Sequence, residues 1–137
     1  MVAYPGVHNL DVIGPLEILA TTKYFVDAGQ EPYDIKIVAA EAGAVEASSG
    51  LTITAHHGFA DVADDDSHFD TLIVAGGHGT SSAMKDADVL KFISQVAPRA
   101  DRVASICTGA MILAEAGLLN GKRASTQIGR ASCRERV

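Results

Sequence analysis

Residues 102–109 read RVASICTG, an apolar strand that ends at Cys107 and passes at once into a helix of small residues. In open parallel sheets, ligand sites lie at the carboxyl ends of the strands. A side chain on such a sharp strand-to-helix turn stands clear of the sheet, as the serine does in nucleophile elbows. Gly109 has no β-carbon, so the strand and the helix can approach each other closely. This stretch predicts an α/β fold with a site at the turn.

Cys107 is the reactive group that this turn predicts. A helix N-terminus supplies unpaired N–H groups and a partial positive charge, which favour a thiolate over a thiol. The alternative is a buried structural cysteine, the common role of a cytosolic cysteine. The position at the carboxyl end of a strand favours the reactive interpretation.

Strand-like and helix-like segments alternate on the amino-terminal side of this turn. We predict strands at Met1–Tyr4, Tyr33–Ala39, Thr71–Ala75 and Arg102–Ile106, a hairpin of Val45–Ser48 with Leu51–Ala55, and helices from Gly14-Pro15 to about Ala28, over Asp88–Ala97 and over Thr108–Ala116. Short strands that alternate with helices predict a parallel sheet covered on both faces.

A glycine motif follows the buried strand at residues 71–75. Adjacent Gly76 and Gly77 let backbone N–H groups point into a cleft, where they could form an oxyanion hole with the N–H of Thr108. A simple turn explains the motif about as well. We interpret His78, in the same loop, as a solvated residue rather than a general base.

Asp11, in the sequence HNLDVIGP, is the candidate acid. We predict that it lies in the loop between the first strand and the first helix, which also emerges at the carboxyl end of the sheet. There it could share a proton with Cys107 or position a water molecule. Its alternative role is that of an ordinary turn carboxylate.

Composition excludes several classes of protein. The chain has 137 residues, enough for one domain, and 47% of them are hydrophobic, which argues against a disordered tail. Its net charge of −6 makes this piece a poor candidate for binding nucleic acid by itself. The chain has no apolar run long enough to span a membrane and no secretion signal, so we expect a cytoplasmic protein with no membrane contact.

We predict no metal site and no cofactor. His56 and His57 are adjacent, so in a strand they point to opposite faces. The acidic run at residues 64–66 lacks the glycine and the distal glutamate of a calcium loop. The two cysteines, Cys107 and Cys133, do not form a CxxC pair.

The last ten residues, IGRASCRERV, have no helical or strand period and resemble the translation of a sequencing adapter. We therefore expect residues 128–137, with Cys133, to be a non-native tail. Residues 1–127 are then one partial domain, truncated at its C-terminal end.

Three segments, LDVIGPLE, LIVAGGHGT and ASICTGAMILAEAGLLNGKRAST, together resemble the ThiJ/PfpI family of class I glutamine-amidotransferase-like domains. The resemblance runs from about Val2 to Thr126. It is strongest to the branch that contains isonitrile hydratase and the sensor domains of AraC-type transcriptional regulators. The resemblance implies a flavodoxin-like, doubly wound parallel sheet with helices on both faces, and a homodimer when the protein is intact.

The resemblance also implies roles for single residues. Cys107 matches the family's elbow cysteine, and Asp11 matches the acid that contacts its sulfur and that isonitrile hydration needs. Thr108 matches the hydratase's companion residue, and Gly77 and Thr108 would supply oxyanion-hole amides. The family's histidine after Thr126 is replaced here by Gln127.

Three functions remain open at this stage. We favour the ligand-sensing domain of a regulator, which binds a small metabolite near Cys107 and contacts DNA only through a missing C-terminal domain. The second is a hydro-lyase of the isonitrile-hydratase kind, with Cys107 as nucleophile and Asp11 as acid and base. The third is a glyoxalase-like or stress-protective thiol protein.

Overall fold

A computed structural model describes residues 1–27, 32–64 and 67–126 of the chain. Its strands are β1 (Val38–Ala39), β2 (Gly43–Glu46), β3 (Thr52–Ala55), β4 (His57–Gly58), β5 (Phe69–Val74) and β6 (Ala100–Ser105). Its α-helices are α1 (Asn9–Thr21), α2 (Phe59–Ala63), α3 (Thr80–Ala83), α4 (Ala87–Val96) and α5 (Gly109–Glu115). The alternation of strands and helices predicted from the sequence is confirmed.

A parallel sheet forms the centre of the fold. β1 pairs in parallel with β4, and β5 pairs in parallel with β6. Val2 forms parallel bridges to both Val38 and Val74, so the N-terminal segment lies between β1 and β5. The resulting order is β4, β1, the N-terminal segment, β5 and β6, the parallel doubly wound α/β class that was predicted.

The core packs helices against this sheet. Val89, Phe92, Ile93 and Val96 recur at helical spacing on α4 and are all buried. The ring of Phe92 stacks on Phe59 of α2 with centroids 4.4 Å apart. Asp86 caps α4 by accepting hydrogen bonds from the N–H groups of Asp88 and Val89.

The first helix begins earlier than predicted. α1 starts at Asn9 and contains Pro15, and after Thr21 only a 3₁₀ turn at Thr22–Tyr24 continues it. The sequence prediction took Gly14-Pro15 as the start because proline suits the first turn, but the structure places Pro15 at the seventh residue of α1, where it removes one backbone hydrogen bond without ending the helix. The prediction that Asp11 lies in a loop is therefore wrong: Asp11 is in the first turn of α1. The predicted end at Ala28 lies outside the described residues.

The strand predicted over residues 33–39 is shorter than expected. Only Val38–Ala39 forms a ladder, and the N–H of Ile37 donates instead to the ring nitrogen Nδ1 of His56 at 3.2 Å. The predicted hairpin is confirmed, with β2 antiparallel to β3 and Val45 opposite Ile53. None of the helices in residues 1–27, 32–64 and 67–126 is both long and apolar enough to cross a membrane.

Candidate active site

Cys107 lies in the turn between β6 and α5. Its φ of 51° is the only positive value at a non-glycine position in the part of the chain that the structure describes. Such a conformation is unfavourable for a residue with a β-carbon, and it persists only where the surroundings impose it. Two backbone hydrogen bonds hold the turn: Ile106 N–H donates to Val74 O at 3.0 Å, and Gly109 N–H donates to Ile106 O at 2.9 Å. The half-buried Cys107 is thus fixed at the carboxyl end of β6.

Gly109 permits a close approach, but to the end of the neighbouring strand β5 rather than to the strand that precedes the helix. A β-carbon at this position would lie 2.2 Å from Val74 O and 2.9 Å from Ala75 O. Glycine is therefore required for α5 to start directly against the end of β5. This contact sets the distance between the Cys107 turn and the neighbouring glycine turn.

Asp11 is buried, and both of its carboxylate oxygens have partners. Oδ2 accepts a hydrogen bond from Gly76 N–H at 3.2 Å, and Oδ1 lies 3.3 Å from Nδ1 of His8. The side chain of Asp11 is 9% exposed, whereas that of His8 is 52% exposed. The carboxylate is thus held inside the protein, and the imidazole is its contact toward solvent.

Gly76 links this carboxylate to the cysteine turn. A β-carbon at Gly76 would lie 2.6 Å from Thr108 N and 2.7 Å from Thr108 Oγ1. One residue therefore holds the Asp11 carboxylate through its N–H and packs against the residue after Cys107 through its Cα. The structure brings together Asp11, Gly76 and Thr108, which the sequence had placed on three separate segments.

The predicted oxyanion amides have partners within the protein. Gly76 N–H donates to Asp11 Oδ2, and Gly77 N–H donates to Thr108 Oγ1 at 3.0 Å. A substrate oxygen would have to displace Thr108 Oγ1 to use the amide of Gly77. The oxyanion role of Gly76, Gly77 and Thr108 stays a prediction.

Sequence reasoning missed two buried hydroxyl groups in this region. Tyr4 OH donates to Ala75 O at 2.9 Å and lies 3.2 Å from Thr80 Oγ1, which is 2.8 Å from Thr108 Oγ1. A tyrosine that ends an apolar strand needs a hydrogen-bond partner when it is buried, and Thr80 directly follows the glycine motif. The tyrosine at the end of the apolar segment and the threonine after the glycine motif were the signals in the sequence for these two hydroxyl groups.

The model of the DJ-1/PfpI family matches residues 1–132. The chain belongs to the DJ-1/PfpI family. The ThiJ/PfpI resemblance drawn from the three sequence segments is thereby confirmed.

Relatives within the DJ-1/PfpI family differ in function. The chain is 34% identical over 123 residues to isonitrile hydratase of Pseudomonas putida. This alignment covers 90% of this chain and 49% of the hydratase. It is 42% identical over 50 residues to an HTH-type transcriptional regulator of Mycobacterium tuberculosis, covering 36% of this chain and 19% of the regulator. It is also 26% identical over 100 residues to the deglycase PfpI of Pyrococcus furiosus, covering 73% of this chain and 59% of the deglycase.

A solved DJ-1/PfpI structure has the same fold. The crystal structure of a ThiJ/PfpI family protein from Pseudomonas syringae superposes with a TM-score of 0.75 at 30% identity, covering 88% of this chain and 46% of that one. The flavodoxin-like fold class is confirmed. The chain spans about half the length of this structure and of the hydratase.

His78, the metal-ligand candidates, Gln127 and Cys133 are the remaining polar candidates of the sequence. His78 is exposed in its loop. Within residues 1–27, 32–64 and 67–126, no three side chains of His, Cys, Asp or Glu lie close enough to hold a metal ion. Gln127 and Cys133 lie outside the described residues.

Tyr4 gives a pH-dependent test of this packing. Burial raises the pKa of the Tyr4 phenol from 10.0 to about 12, which the hydrogen bond with Thr80 partly opposes and the charges of Asp11 and Cys107 reinforce. The unfolded chain loses this proton near pH 10, whereas the folded protein keeps it until about pH 12. The free energy of unfolding therefore falls as pH rises through this window, by at most about 1.4 kcal/mol per pH unit.

We expect Tyr4→Phe to remove this alkaline loss of stability. At neutral pH the same variant costs about 1–2 kcal/mol, because Ala75 O loses a buried donor. Urea unfolding measured between pH 9 and 12 provides the comparison. Tyr24→Phe is the matched control, since Tyr24 is 73% exposed and its removal leaves the alkaline slope in place. An unchanged slope in Tyr4→Phe would contradict the assignment.

Proposed function

We propose that the chain catalyses cysteine-dependent hydration of a small isonitrile to an N-substituted formamide. The observation that carries this proposal is the position of Gly76, whose N–H holds the Asp11 carboxylate and whose Cα packs against Thr108, next to Cys107. A proton-transfer group and a thiol, here on two turns that Gly76 links, are the two groups that this reaction needs. The similarity to isonitrile hydratase over 90% of this chain supports the proposal.

In the first step, the Cys107 thiolate attacks the terminal carbon of the isonitrile. Asp11 has taken the proton of the Cys107 thiol; a carbon–sulfur bond forms, and Asp11 gives this proton to the same carbon. The product is a thioimidate, S–CH=N–R, on the enzyme. No oxidant or reductant takes part.

In the second step, water adds to the thioimidate carbon. The hydroxyl bonds to carbon and the remaining proton of the water goes to nitrogen. Asp11, now a carboxylate, takes the hydroxyl proton while the carbon–sulfur bond breaks. The step releases the formamide R–NH–CHO and restores both the thiolate and the acid form of Asp11, so that one water molecule is consumed per turnover.

Asp11→Asn tests this role of the carboxylate. We expect kcat/KM for n-butyl isocyanide to fall about 10²- to 10⁴-fold, because the amide keeps the shape of the side chain but cannot exchange a proton. The readout is N-butylformamide measured by chromatography. Asp34→Asn is the control, since Asp34 is an exposed carboxylate in the segment before β1. Wild-type protein that forms no formamide would refute the hydratase proposal.

The second candidate is the ligand-sensing domain of a regulator, supported by the 50-residue segment that is 42% identical to the HTH-type regulator. In this case the residues around Cys107 bind a small nitrogenous or carbonyl metabolite without turnover, and another domain of the full protein contacts DNA. Saturable stabilisation by n-butyl isocyanide without formamide production would favour the sensor. The glyoxalase-like or stress-protective thiol function stays a prediction.

We further propose a cytoplasmic homodimer. Leu10 and Ile18 on α1 are 68% and 71% exposed, and such apolar side chains on one helix are typical of a surface that pairs with a partner.

A further inference from the structure

Three hydrogen bonds form a closed ring that begins and ends at Gly77. Gly77 N–H donates to Thr108 Oγ1 at 3.0 Å, Thr108 Oγ1 lies 2.8 Å from Thr80 Oγ1, and Thr80 Oγ1 donates to Gly77 O at 2.7 Å. Thr80 and Thr108 are 1% and 4% exposed, so the ring is shielded from water. It joins the residue after Cys107 to the glycine motif.

The number of hydroxyl protons determines which group donates in each hydrogen bond of the ring. Each threonine hydroxyl has a single proton. Because Thr80 gives its proton to Gly77 O, the proton between the two threonines must come from Thr108. Tyr4 gives its own proton to Ala75 O, so its 3.2 Å contact with Thr80 is not part of the ring. Every donor in the ring therefore points the same way round, an arrangement in which hydrogen bonds reinforce one another.

Thr108 has a second, longer acceptor within reach. Its hydroxyl oxygen lies 3.5 Å from Gly77 O, so without Thr80 Oγ1 this oxygen can shift toward that carbonyl, which lengthens its hydrogen bond from Gly77 N–H. Gly77 has a φ of 146°, and its peptide follows directly on the group that holds Asp11. A shift of the Gly77 peptide therefore affects the Cys107 turn through Thr108 and the Asp11 carboxylate through Gly76.

We propose that Thr80 is a positioning residue, which keeps the Thr108 hydroxyl on the Gly77 amide and so holds the Cys107 turn and the Asp11 carboxylate in the arrangement needed for turnover. Its catalytic part rests on the hydratase function proposed above. The ring itself does not, because it can be measured on the protein without substrate.

Thr80→Val tests the ring directly, since valine keeps the shape of threonine and removes the hydroxyl. We expect hydrogen exchange at the Gly77 amide, followed by NMR, to become about 10- to 100-fold faster. We expect kcat for n-butyl isocyanide to fall about 10- to 100-fold with KM within about threefold, because a displacement below 1 Å is enough for such a loss. Thr80→Ser restores the hydroxyl and should return both quantities to within about threefold of wild type.

Thr22→Val is the matched control for the same substitution outside the ring. It removes a hydroxyl that donates to Leu19 O at 2.6 Å after the end of α1 and leaves the ring intact, so Gly77 exchange and kcat should stay at wild-type values. Equal effects of Thr80→Val and Thr22→Val, or no rescue by Thr80→Ser, would overturn the proposal. If wild-type protein forms no formamide, the hydratase function is refuted. The positioning role of Thr80 is then tested by hydrogen exchange at the Gly77 amide alone. Unchanged exchange in Thr80→Val would refute this role.

Discussion

Replacement of Cys107 by serine is expected to lower formamide production at least about 10³-fold. A hydroxyl is far less ionised than a thiol at neutral pH, and no described side chain replaces the sulfur as nucleophile. Serine can adopt the φ of 51° at this turn as readily as cysteine can, so the fold should be retained. The measurement is N-butylformamide formed from n-butyl isocyanide, with urea unfolding of both proteins as the check on stability.

Cys107→Ala separates a chemical role from a packing role. If the sulfur is the nucleophile, the alanine and serine variants lose activity equally although their side chains differ in size and polarity. Mass spectrometry of wild-type protein mixed with n-butyl isocyanide should show an adduct that is absent from both variants. A serine variant that retains a tenth of the wild-type activity would contradict covalent catalysis by Cys107.

Gly109→Ala is expected to reduce the free energy of unfolding by roughly 3 kcal/mol, at the upper end of the range for overpacking. The new β-carbon would lie 2.2 Å from Val74 O and 2.9 Å from Ala75 O, which are backbone atoms at the end of a buried strand. Neither can move without separating α5 from β5. The lower urea midpoint should be accompanied by loss of activity, because the Cys107 turn moves with the helix.

Gly14→Ala is the control for this substitution. Apart from its chain neighbours, a β-carbon at Gly14 would meet Leu10 Cδ1 at 3.7 Å, an ordinary contact on α1. Alanine favours the helix over glycine, but the ring of Pro15 disfavours a helical residue with a β-carbon before it, so the two effects oppose each other and the control should change by less than about 1 kcal/mol. A loss of stability of similar size in both variants would show that close approach at Gly109 is not what limits the packing.

The sheet and its turns were predictable because their signals are local. Apolar runs that end in glycine or cysteine identified β5 and β6, and parallel pairing then placed their carboxyl ends together. The start of α1 was not predictable in this way. Proline statistics favoured residue 15 as the first helical position, but Asp11 N–H bonds to His8 O and starts the helix near residue 9. Packing of the first turn overrides the local preference.

Cys107, Asp11 and Thr108 were identified from sequence as candidate site residues, but the groups that hold them were not. The contact of Tyr4 with Thr80 joins residues 76 positions apart, and that of Thr80 with Thr108 joins residues 28 positions apart. The sequence period of a strand or a helix does not indicate which buried hydroxyl groups contact each other. These contacts depend on how three separate turns are positioned relative to one another in the fold. The same limit applies to the amide of Gly77, which looked available in the sequence and donates to Thr108 Oγ1 in the structure.

The bond between Asp11 and Gly76 has an evolutionary consequence. Since the acid is anchored to a glycine turn rather than to its own helix alone, the outward positions of that helix can drift without disturbing the interior. Related chains can then differ in the surface they offer to other molecules while the turns at the carboxyl ends of β5 and β6 stay the same.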